Sequence, residues 1–250
     1  MHRFGSHIIA LMAGAVVISG CVSSSGGAYD HECAGGKLVQ MSLIDLSSSG
    51  RDEALLSERL DAIQLDAERV IDCEGRLMVV GWSSSSAASR ELFNRPLSTI
   101  GATEVGRDRK IPKAIEGIMS EIRESVNASF DVIDPNGSDL SGAFALVADR
   151  RASIRDEQVL EVHIYTDAIS TTGATAINNP LLTKEVVQDM VTSQQSPNLT
   201  GVTISLFGVG KVGGTVQPPQ DFISVILAYA EAMCKVTGAS CRAFTSIVLG

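Results

Sequence analysis

The sequence is poor in basic residues and lacks several motifs that mark enzymes. Lysine and arginine together number 20, against 29 aspartates and glutamates, so the formal net charge is −9. Proteins that bind nucleic acid need a basic surface to contact phosphates, and we therefore expect no nucleic acid as a partner. The chain has no nucleophile elbow and no zinc-binding pair. His31, near the N-terminus, and His163, inside a predicted strand, have no convincing catalytic partner, and we predict that the protein is not an enzyme.

Beyond its N-terminal twenty residues, the sequence also lacks an internal linker and a long apolar run. After the first twenty residues, the most apolar segment, residues 222–233, is short and interrupted by polar residues, so it is not expected to span a membrane. No stretch rich in proline and glycine divides the rest of the chain. A chain of this length supports one large α/β core, and we predict a single domain over residues 30–250.

The N-terminal twenty residues are typical of a targeting segment. An apolar run at residues 8–18 follows Arg3 and is too short to cross a bilayer comfortably. The next tetrapeptide, Ile-Ser-Gly-Cys, resembles the lipobox of bacterial lipoproteins, and an ordinary signal peptide cleaved nearby is the alternative. The lipobox implies removal of residues 1–20, a lipid on Cys21, and a membrane-anchored protein of the cell envelope that faces the periplasm or the exterior. Residues 21–29 are rich in serine and glycine and are expected to form a flexible tether.

Four cysteines remain besides Cys21, and in an exported protein an even number suggests disulfides. Cys33 and Cys73 each precede a predicted strand, which places both at the amino edge of a parallel sheet. Cys234 ends the last predicted helix and Cys241 begins the last predicted strand, at the same edge. We therefore predict the pairs Cys33–Cys73 and Cys234–Cys241.

Strand-like and helix-like segments alternate along the predicted domain. Apolar runs indicate buried strands, and apolar residues at spacings of three and four indicate amphipathic helices between them. This alternation is typical of an α/β fold with a central, mostly parallel sheet covered by helices on both faces, a Rossmann-like three-layer sandwich. The irregular stretch at residues 96–106 is a candidate for a short antiparallel edge strand. The predicted strands are residues 37–44, 76–82, 159–165, 202–207 and 241–249, and the predicted helices lie near residues 51–71, 111–122, 140–147, 180–192 and 221–236.

Oxygen-bearing side chains follow two of these strands. Asp45 ends the first apolar run, and Ser47 and Ser49 add two hydroxyls; Asp167 follows the strand at residues 159–165. In open parallel sheets, ligands bind at the carboxyl ends of strands where the strand order reverses, and Ser138 lies in a loop expected at that edge. If Asp45 and Asp167 are brought close together at this edge, their carboxylates repel each other unless a cation neutralises them. Carboxylate and hydroxyl oxygens suit Mg²⁺ or Mn²⁺ and suit zinc or copper poorly.

Three segments carry a family resemblance, in the order expected of that family. Asp-Leu-Ser-Ser-Ser at 45–49, Gly-Ser-Asp-Leu-Ser-Gly-Ala at 137–143 and Tyr-Thr-Asp-Ala at 165–168 resemble the three loops of the metal ion-dependent adhesion site of the von Willebrand factor type A (vWA) domain. The resemblance covers nearly the whole predicted domain and implies a vWA-like fold. It also implies a coordination position left open to an acidic group on a protein partner. The implied ligands of Mg²⁺ or Mn²⁺ are Asp45, Ser47, Ser49, Ser138 and Asp167.

Two positions depart from the family pattern. Ser138 stands where the family usually has threonine, which keeps the hydroxyl but loses the methyl group that restricts its rotamer. Thr103 is a rival for the threonine role. Ala168 stands where the family usually has glycine. The site residues also have structural alternatives, since Asp and Ser are common helix caps: Ser138 could cap the next helix, and Asp167 could be a plain turn residue.

A Gly-x-Gly-x-x-Gly pattern at residues 208–213 follows a predicted strand, as dinucleotide-binding loops do. We do not assign a nucleotide site to it, because residues 214–219 intervene before any helix and only one strand remains afterwards. Lys211 also lacks the upstream glycine and the following Ser or Thr of a phosphate-binding loop.

These observations predict a lipid-anchored binding module that holds Mg²⁺ or Mn²⁺ and captures a carboxylate of a protein partner. The alternative is a structural or assembly lipoprotein that uses the same fold without metal. Metal-assisted hydrolysis is less expected, because the sequence offers no base near the ion beyond Asp139.

Overall fold

The computed structural model describes Cys33 and residues 38–98, 101 and 103–247. The predicted signal peptide, the tether and Cys21 lie outside the described residues. Within them, six strands form one sheet and five α-helices pack against it. The strands are β1 (Leu38–Asp45), β2 (Arg76–Trp82), β3 (Arg90–Pro96), β4 (Val159–Tyr165), β5 (Thr203–Phe207) and β6 (Ser240–Phe244). The helices are α1 (Glu53–Asp72), α2 (Glu104–Ser129), α3 (Leu140–Arg151), α4 (Lys184–Thr192) and α5 (Gln220–Thr237).

The strand order of the sheet is β3-β2-β1-β4-β5-β6. Only the β2–β3 pair is antiparallel among the described strands, and all other neighbours are parallel. Strands β2 and β3 extend the sheet on one side of β1, and β4, β5 and β6 extend it on the other side. The strand order therefore reverses between β1 and β4. Doubly wound sheets bind ligands at the carboxyl ends of the strands that flank such a reversal.

Helices cover both faces of the sheet, as predicted. One apolar core lies between the sheet and α3, α4 and α5, and a second lies between the sheet and the pair α1 and α2. All eight residues of β1 are buried, which explains its nearly continuous apolar sequence, since a central parallel strand faces a core on each side. The fold is therefore a three-layer α/β sandwich, which confirms the predicted fold class.

Several element boundaries differ from the prediction. The antiparallel edge strand occupies Arg90–Pro96 rather than residues 96–106. Only Leu92 and Phe93 are buried in it, so its apolar pattern is too weak to recognise in the sequence. Helix α2 begins at Glu104, seven residues before the apolar stripe that starts at Ile111. Strand β6 ends at Phe244 rather than residue 249.

Both predicted disulfides are present, Cys33–Cys73 with a Cα–Cα distance of 5.1 Å and Cys234–Cys241 with 5.7 Å. Each joins segments at the amino edge of the sheet, where topology placed all four cysteines. Two such bridges are typical of a domain that folds outside the reducing cytosol. None of the helices in the described ranges is long and apolar enough to cross a membrane.

Candidate metal centre at the carboxyl edge of the sheet

The first loop of the site begins at Asp45, the fully buried last residue of β1. Its Oδ1 accepts a 2.9 Å hydrogen bond from the backbone N–H of Ser47, which turns the chain back over the strand end. The N–H of Ser48 donates to the carbonyl of Pro135 at 2.9 Å and ties this loop to the one before α3. Gly50 allows the close approach, because a Cβ there would lie 2.2 Å from the Asp45 carbonyl oxygen.

The five residues predicted as ligands lie together. The Ser138 hydroxyl donates to Asp45 Oδ2 at 2.9 Å, and the Ser49 hydroxyl donates to Asp167 Oδ2 at 2.7 Å. The hydroxyl oxygens of Ser47 and Ser49 are 3.3 Å apart. Three loops, after β1, before α3 and after β4, thus converge on one small volume. Asp45 and Asp167 face each other across the boundary between β1 and β4.

Thr166 is a further member of the site that the sequence did not identify. Its hydroxyl donates to Asp45 Oδ2 at 2.8 Å and accepts a 3.0 Å bond from the N–H of Ala168. Its position next to Asp167 could have pointed to it. However, side chains alternate between the two faces of an extended strand, so two adjacent residues are not expected at one site. Here the chain leaves the strand after Tyr165, and Ala168 has a φ of 59°. This left-handed conformation explains why glycine suits that position.

The loop before α3 is held by the loop after β4. The N–H of Ser138 donates to the Thr171 hydroxyl at 3.0 Å, and the Ser138 carbonyl accepts the N–H groups of Thr171 at 2.9 Å and Thr172 at 3.2 Å. The N-cap of α3 is Asp139, without a side-chain cap bond. The Ser138 hydroxyl therefore bonds to Asp45 instead of capping the helix.

Thr103, the rival to Ser138, lies elsewhere. It is the N-cap of α2, and its hydroxyl accepts a 3.2 Å bond from the N–H of Gly106. Strand β3 has by then carried the chain to the amino edge of the sheet, where Pro96 pairs with Arg76. Thr103 is therefore at the edge opposite to Asp45.

The two carboxylates of the site are buried and close to one another. Burial, and next the charge of Asp45, raise the pKa of Asp167 to about 6. Hydrogen bonds from the Ile169 N–H and the Ser49 hydroxyl act in the opposite direction. Two buried carboxylates this close repel each other, and a cation is the natural means of stabilising both in their ionised form.

A buried arginine lies beneath this site. Arg59, on α1, is completely buried, and its Nη1 donates to the carbonyl oxygen of Asp45 at 2.8 Å. Its Nε and Nη2 have no hydrogen-bond partner among the described residues. Burial lowers the pKa of Arg59, while the charges of Asp45 and Asp167 oppose that fall. Sequence patterning missed Arg59, because an arginine on a helix is usually solvent-exposed.

The donor set fits a hard divalent cation. It comprises two carboxylates and three hydroxyls, and oxygen ligands of this kind suit Mg²⁺ or Mn²⁺. No group of three or more His, Cys, Asp or Glu side chains that could hold a metal occurs in the part of the chain that the structure describes. A cation at this edge would therefore depend on serine hydroxyls as well as on Asp45 and Asp167.

His163 has an acidic partner that the sequence did not identify. Its Nδ1 lies 2.6 Å from Oδ1 of Asp66 on α1, and Asp66 Oδ2 accepts bonds from Ser42 at 2.6 Å and Tyr165 at 2.8 Å. The sequence could not show the pair, because the two residues are 97 positions apart. Ser42 is fully buried and bonds to the carboxylate, so the network contains no accessible nucleophile beside its base. It joins α1 to the sheet.

The glycine-rich segment after β5 forms part of the wall of the site. The N–H of Gly210 donates to the carbonyl of Asp167 at 2.8 Å, and Lys211 forms an ion pair with Glu58. Helix α5 begins only at Gln220, so no helix N-terminus follows the glycines directly. This arrangement agrees with the decision not to assign a dinucleotide site.

Comparison with known proteins gives structural likenesses at low sequence identity. No family model matches the chain, and no curated protein matches it. Proximal thread matrix protein 1 from the mussel byssus is 13% identical with a TM-score of 0.42, over 84% of this chain and 44% of that chain. A von Willebrand factor type A structure from Catenulispora acidiphila is 14% identical with a TM-score of 0.39, over 82% and 42%. The conserved hypothetical protein BatB from Bacteroides thetaiotaomicron is 11% identical with a TM-score of 0.42, over 84% and 90%.

This chain therefore spans less than half the length of the first two of these structures. The likenesses concern the chain path and carry no information about ligands. The assignment to the α/β class rests on the strand order of the sheet and on the helices that cover both of its faces.

Proposed function

We propose that this chain is a cation-dependent protein-binding module of the bacterial cell envelope. In this proposal Mg²⁺ or Mn²⁺ is held by the site residues and leaves one coordination position for an acidic group of a partner protein. The observation that carries the proposal is the convergence of two carboxylates and three hydroxyls from three separate loops. The same three segments resemble the loops of a metal ion-dependent adhesion site. The proposed ligands are Asp45, Ser47, Ser49, Ser138 and Asp167.

The surrounding residues orient the two carboxylates. The N–H of Ser47 and the hydroxyl of Thr166 hold opposite oxygens of Asp45, and the N–H of Ile169 holds Oδ1 of Asp167. These bonds fix the carboxylates before any ligand arrives, which lowers the entropic cost of binding. A bound cation would supply the positive charge that attracts a carboxylate from outside.

The proposed location rests on the N-terminal sequence and on the disulfides. Cleavage before Cys21 and lipid attachment to its thiol would anchor the domain to a membrane, with residues 22–32 as the connection to Cys33. The two disulfides favour a compartment outside the cytosol. Treatment of cells with labelled fatty acid, followed by comparison of the wild type with Cys21→Ser, tests the anchor: label that remains on the variant would contradict it.

Thermal melting with Mg²⁺ and with chelator tests the cation site. A ligand that binds the folded state raises the melting temperature as its concentration exceeds its Kd. We expect Mg²⁺ to stabilise the wild type and to have little effect on Asp45→Asn. Asp66→Asn is the matched control, because Asp66 is also a buried carboxylate but lies in the α1 network. Equal responses of wild type and Asp45→Asn would refute metal binding at this site.

Affinity capture from membranes, performed in parallel with Mg²⁺ and with chelator, tests the partner. We expect a protein that is retained with Mg²⁺ and released by chelator, and that is not retained by Asp45→Asn. Replacement of candidate acidic residues on the captured partner by their amides then tests the carboxylate.

A second function, a structural module that works without metal, is favoured by a separate observation. Arg59 already places one positive charge beneath the site, and the serine hydroxyls already bond to the carboxylates. A partner that stays bound in chelator, and that also binds Asp45→Asn, would support this function over the first. We do not propose hydrolysis, because Asp139, the candidate base that the sequence offers, accepts a 2.6 Å hydrogen bond from the Ser141 hydroxyl at the start of α3.

A further inference from the structure

A cavity of about 360 Å³ lies at the amino edge of the sheet, at the end of β1 and β2 opposite to the candidate metal centre. Among the residues that the structure describes, three arginines line it, Arg76, Arg150 and Arg155, and no aspartate or glutamate does. The whole chain has a net charge of −9. Of the three guanidinium groups, Arg76 forms no ion pair among the described residues and the other two pair only loosely, so the cavity keeps an excess of positive charge that favours an anionic ligand.

Arg76 is anchored by a hydrogen bond to a neighbouring strand. It begins β2, is partly buried, and donates from Nε to Oδ1 of Asn94 at 2.7 Å. That bond orients the guanidinium plane. Its two terminal nitrogens have no acceptor in the described part of the chain, so they remain able to donate to a ligand.

Arg150 and Arg155 are only weakly neutralised by nearby acids. The closest carboxylate oxygen to Arg150 is Oε2 of Glu91 at 3.7 Å, and Asn94 donates to that same oxygen at 2.9 Å. Arg155 lies 3.3 Å from Glu157, and both side chains are largely exposed. Exposed pairs of this kind contribute little energy and exchange easily for a better acceptor. Any cation is stabilised in the last turn of a helix, and Arg150 occupies that place on α3. The helix end does not explain Arg76, which lies on β2.

The rest of the lining supplies apolar contact and neutral hydrogen-bonding groups. Val39, Met78 and Ile154 form apolar wall, and Ser153 and Gln158 are polar. Guanidinium groups match phosphate oxygens in a two-point fork, and three of them can engage the several oxygens of one phosphate. We propose that this cavity binds a phosphate-bearing organic anion, with the phosphate on Arg76 and Arg150 and its carbon portion against the apolar wall.

Two sources of such an anion are compatible with this chemistry, a phospholipid headgroup and a soluble phosphate compound. The disulfide between Cys33 and Cys73 lies at the amino edge of the sheet, which is also the edge of the cavity. If Cys21 carries a lipid, as proposed above, phospholipid headgroups are available as ligands. The lipid source therefore rests on the proposed anchor, whereas the cavity itself does not.

Thermal melting and titration calorimetry with inorganic phosphate test the site, with sodium chloride at equal ionic strength as the reference. We expect phosphate to stabilise the wild type, and Arg76→Gln/Arg150→Gln to weaken its binding at least tenfold. Arg107→Gln/Arg109→Gln is the control, since it removes the same charge from exposed positions on α2 that do not line the cavity. Arg150→Gln alone, at a side chain 35% exposed, keeps the test valid if the double variant fails to fold.

Co-sedimentation with phosphatidylcholine vesicles, with and without phosphatidylglycerol, distinguishes the sources. Binding to the anionic vesicles that the cavity variant loses and the control variant keeps identifies a headgroup ligand. Phosphate binding without vesicle binding identifies a soluble ligand. Phosphate and vesicle binding that are equal in wild type and cavity variant, or absent from both, would overturn the proposal. All of these measurements are made in chelator, so the result does not depend on the cation site.

Discussion

The hydroxyl of Ser138 donates a 2.9 Å hydrogen bond to Oδ2 of Asp45, across 93 positions of sequence. The same oxygen accepts the hydroxyl of Thr166, 121 positions from Asp45. Both bonds exist only when β1 and β4 pair and the loop before α3 closes over them. The candidate metal centre is therefore a product of the complete sheet, and substitutions in it report on the joint placement of three loops.

Two substitutions of Ser138 test the role of its hydroxyl group. Ser138→Ala removes one of the two hydroxyl donors to Asp45 Oδ2, and we expect a loss of about 1 to 2 kcal/mol of stability in chelator. It should also reduce the stabilisation by Mg²⁺, whereas Ser138→Thr keeps the hydroxyl and should retain it. Denaturant unfolding with and without Mg²⁺ measures both effects.

Ser141→Ala is the control for this series, because the Ser141 hydroxyl bonds to Asp139 and not to Asp45 or Asp167. A Ser138→Ala variant with the full Mg²⁺ response would remove Ser138 from the proposed ligand set.

Replacement of Arg59 tests its role as an internal counter-charge. Arg59→Met removes the buried positive charge below Asp45 and Asp167. Removal of one charge from a buried group of opposite charges lowers the free energy of unfolding by roughly 3 kcal/mol or more. We expect a large loss of stability in chelator and a larger stabilisation by Mg²⁺ than in the wild type, because the cation then supplies the missing positive charge.

Arg69→Met is the matched control on the same helix. Arg69 is largely buried and pairs with Glu161 at 2.7 Å, away from the site. Its loss should lower stability by the same amount with and without Mg²⁺. An Arg59→Met variant that behaves in this way would show that Arg59 acts through packing alone.

The pH dependence of stability follows from Asp167. Its pKa in the fold is about 6, above its ordinary value of 3.8, so the metal-free fold favours the protonated form. The resulting contribution to stability is fully present below pH 3.8 and is lost as the pH rises through about 6. We therefore expect the wild type, measured in chelator, to lose stability relative to Asp167→Asn as the pH rises over this range.

Mg²⁺ should reverse that trend, because it favours the ionised carboxylate and stabilises the wild type at the upper end of the range. Urea unfolding at several pH values between 4 and 7, with chelator and with Mg²⁺, provides the measurement. A wild-type minus Asp167→Asn difference that is constant with pH in chelator would contradict this prediction.

The two disulfides should differ in their effect on stability. Cys33 and Cys73 are 40 positions apart, and Cys234 and Cys241 only 7. In the chain-entropy model the longer loop contributes about 4 kcal/mol and the shorter one roughly 2.5 kcal/mol. We expect Cys33→Ser/Cys73→Ser to lower the melting temperature more than Cys234→Ser/Cys241→Ser, as measured by calorimetry. The opposite order would show that native contacts, rather than loop entropy, determine the effect.

Several features of the fold were predictable because their signals are local. The alternation of strands and helices, the parallel sheet and both disulfide pairs follow from apolar periodicity and from the rule that consecutive parallel strands begin at one edge. The edge strand Arg90–Pro96 and the start of α2 were misplaced, because each is largely polar and has little apolar pattern. The pairing of His163 with Asp66 was missed for a different reason, since nothing local connects a strand residue to a distant helix.

The sequence by itself determined the class of fold and the cysteine pairs, because periodicity and spacing encode these directly, and its resemblance to a known family implied the five oxygen-bearing residues of the site. Only the tertiary structure decided that Thr166 joins them and that Arg59 lies beneath them. It likewise decided that three arginines line one cavity at the opposite edge. The physical reason is that electrostatic and hydrogen-bonding partners are chosen by proximity in space, and strand pairing brings together residues that are dozens of positions apart in the chain.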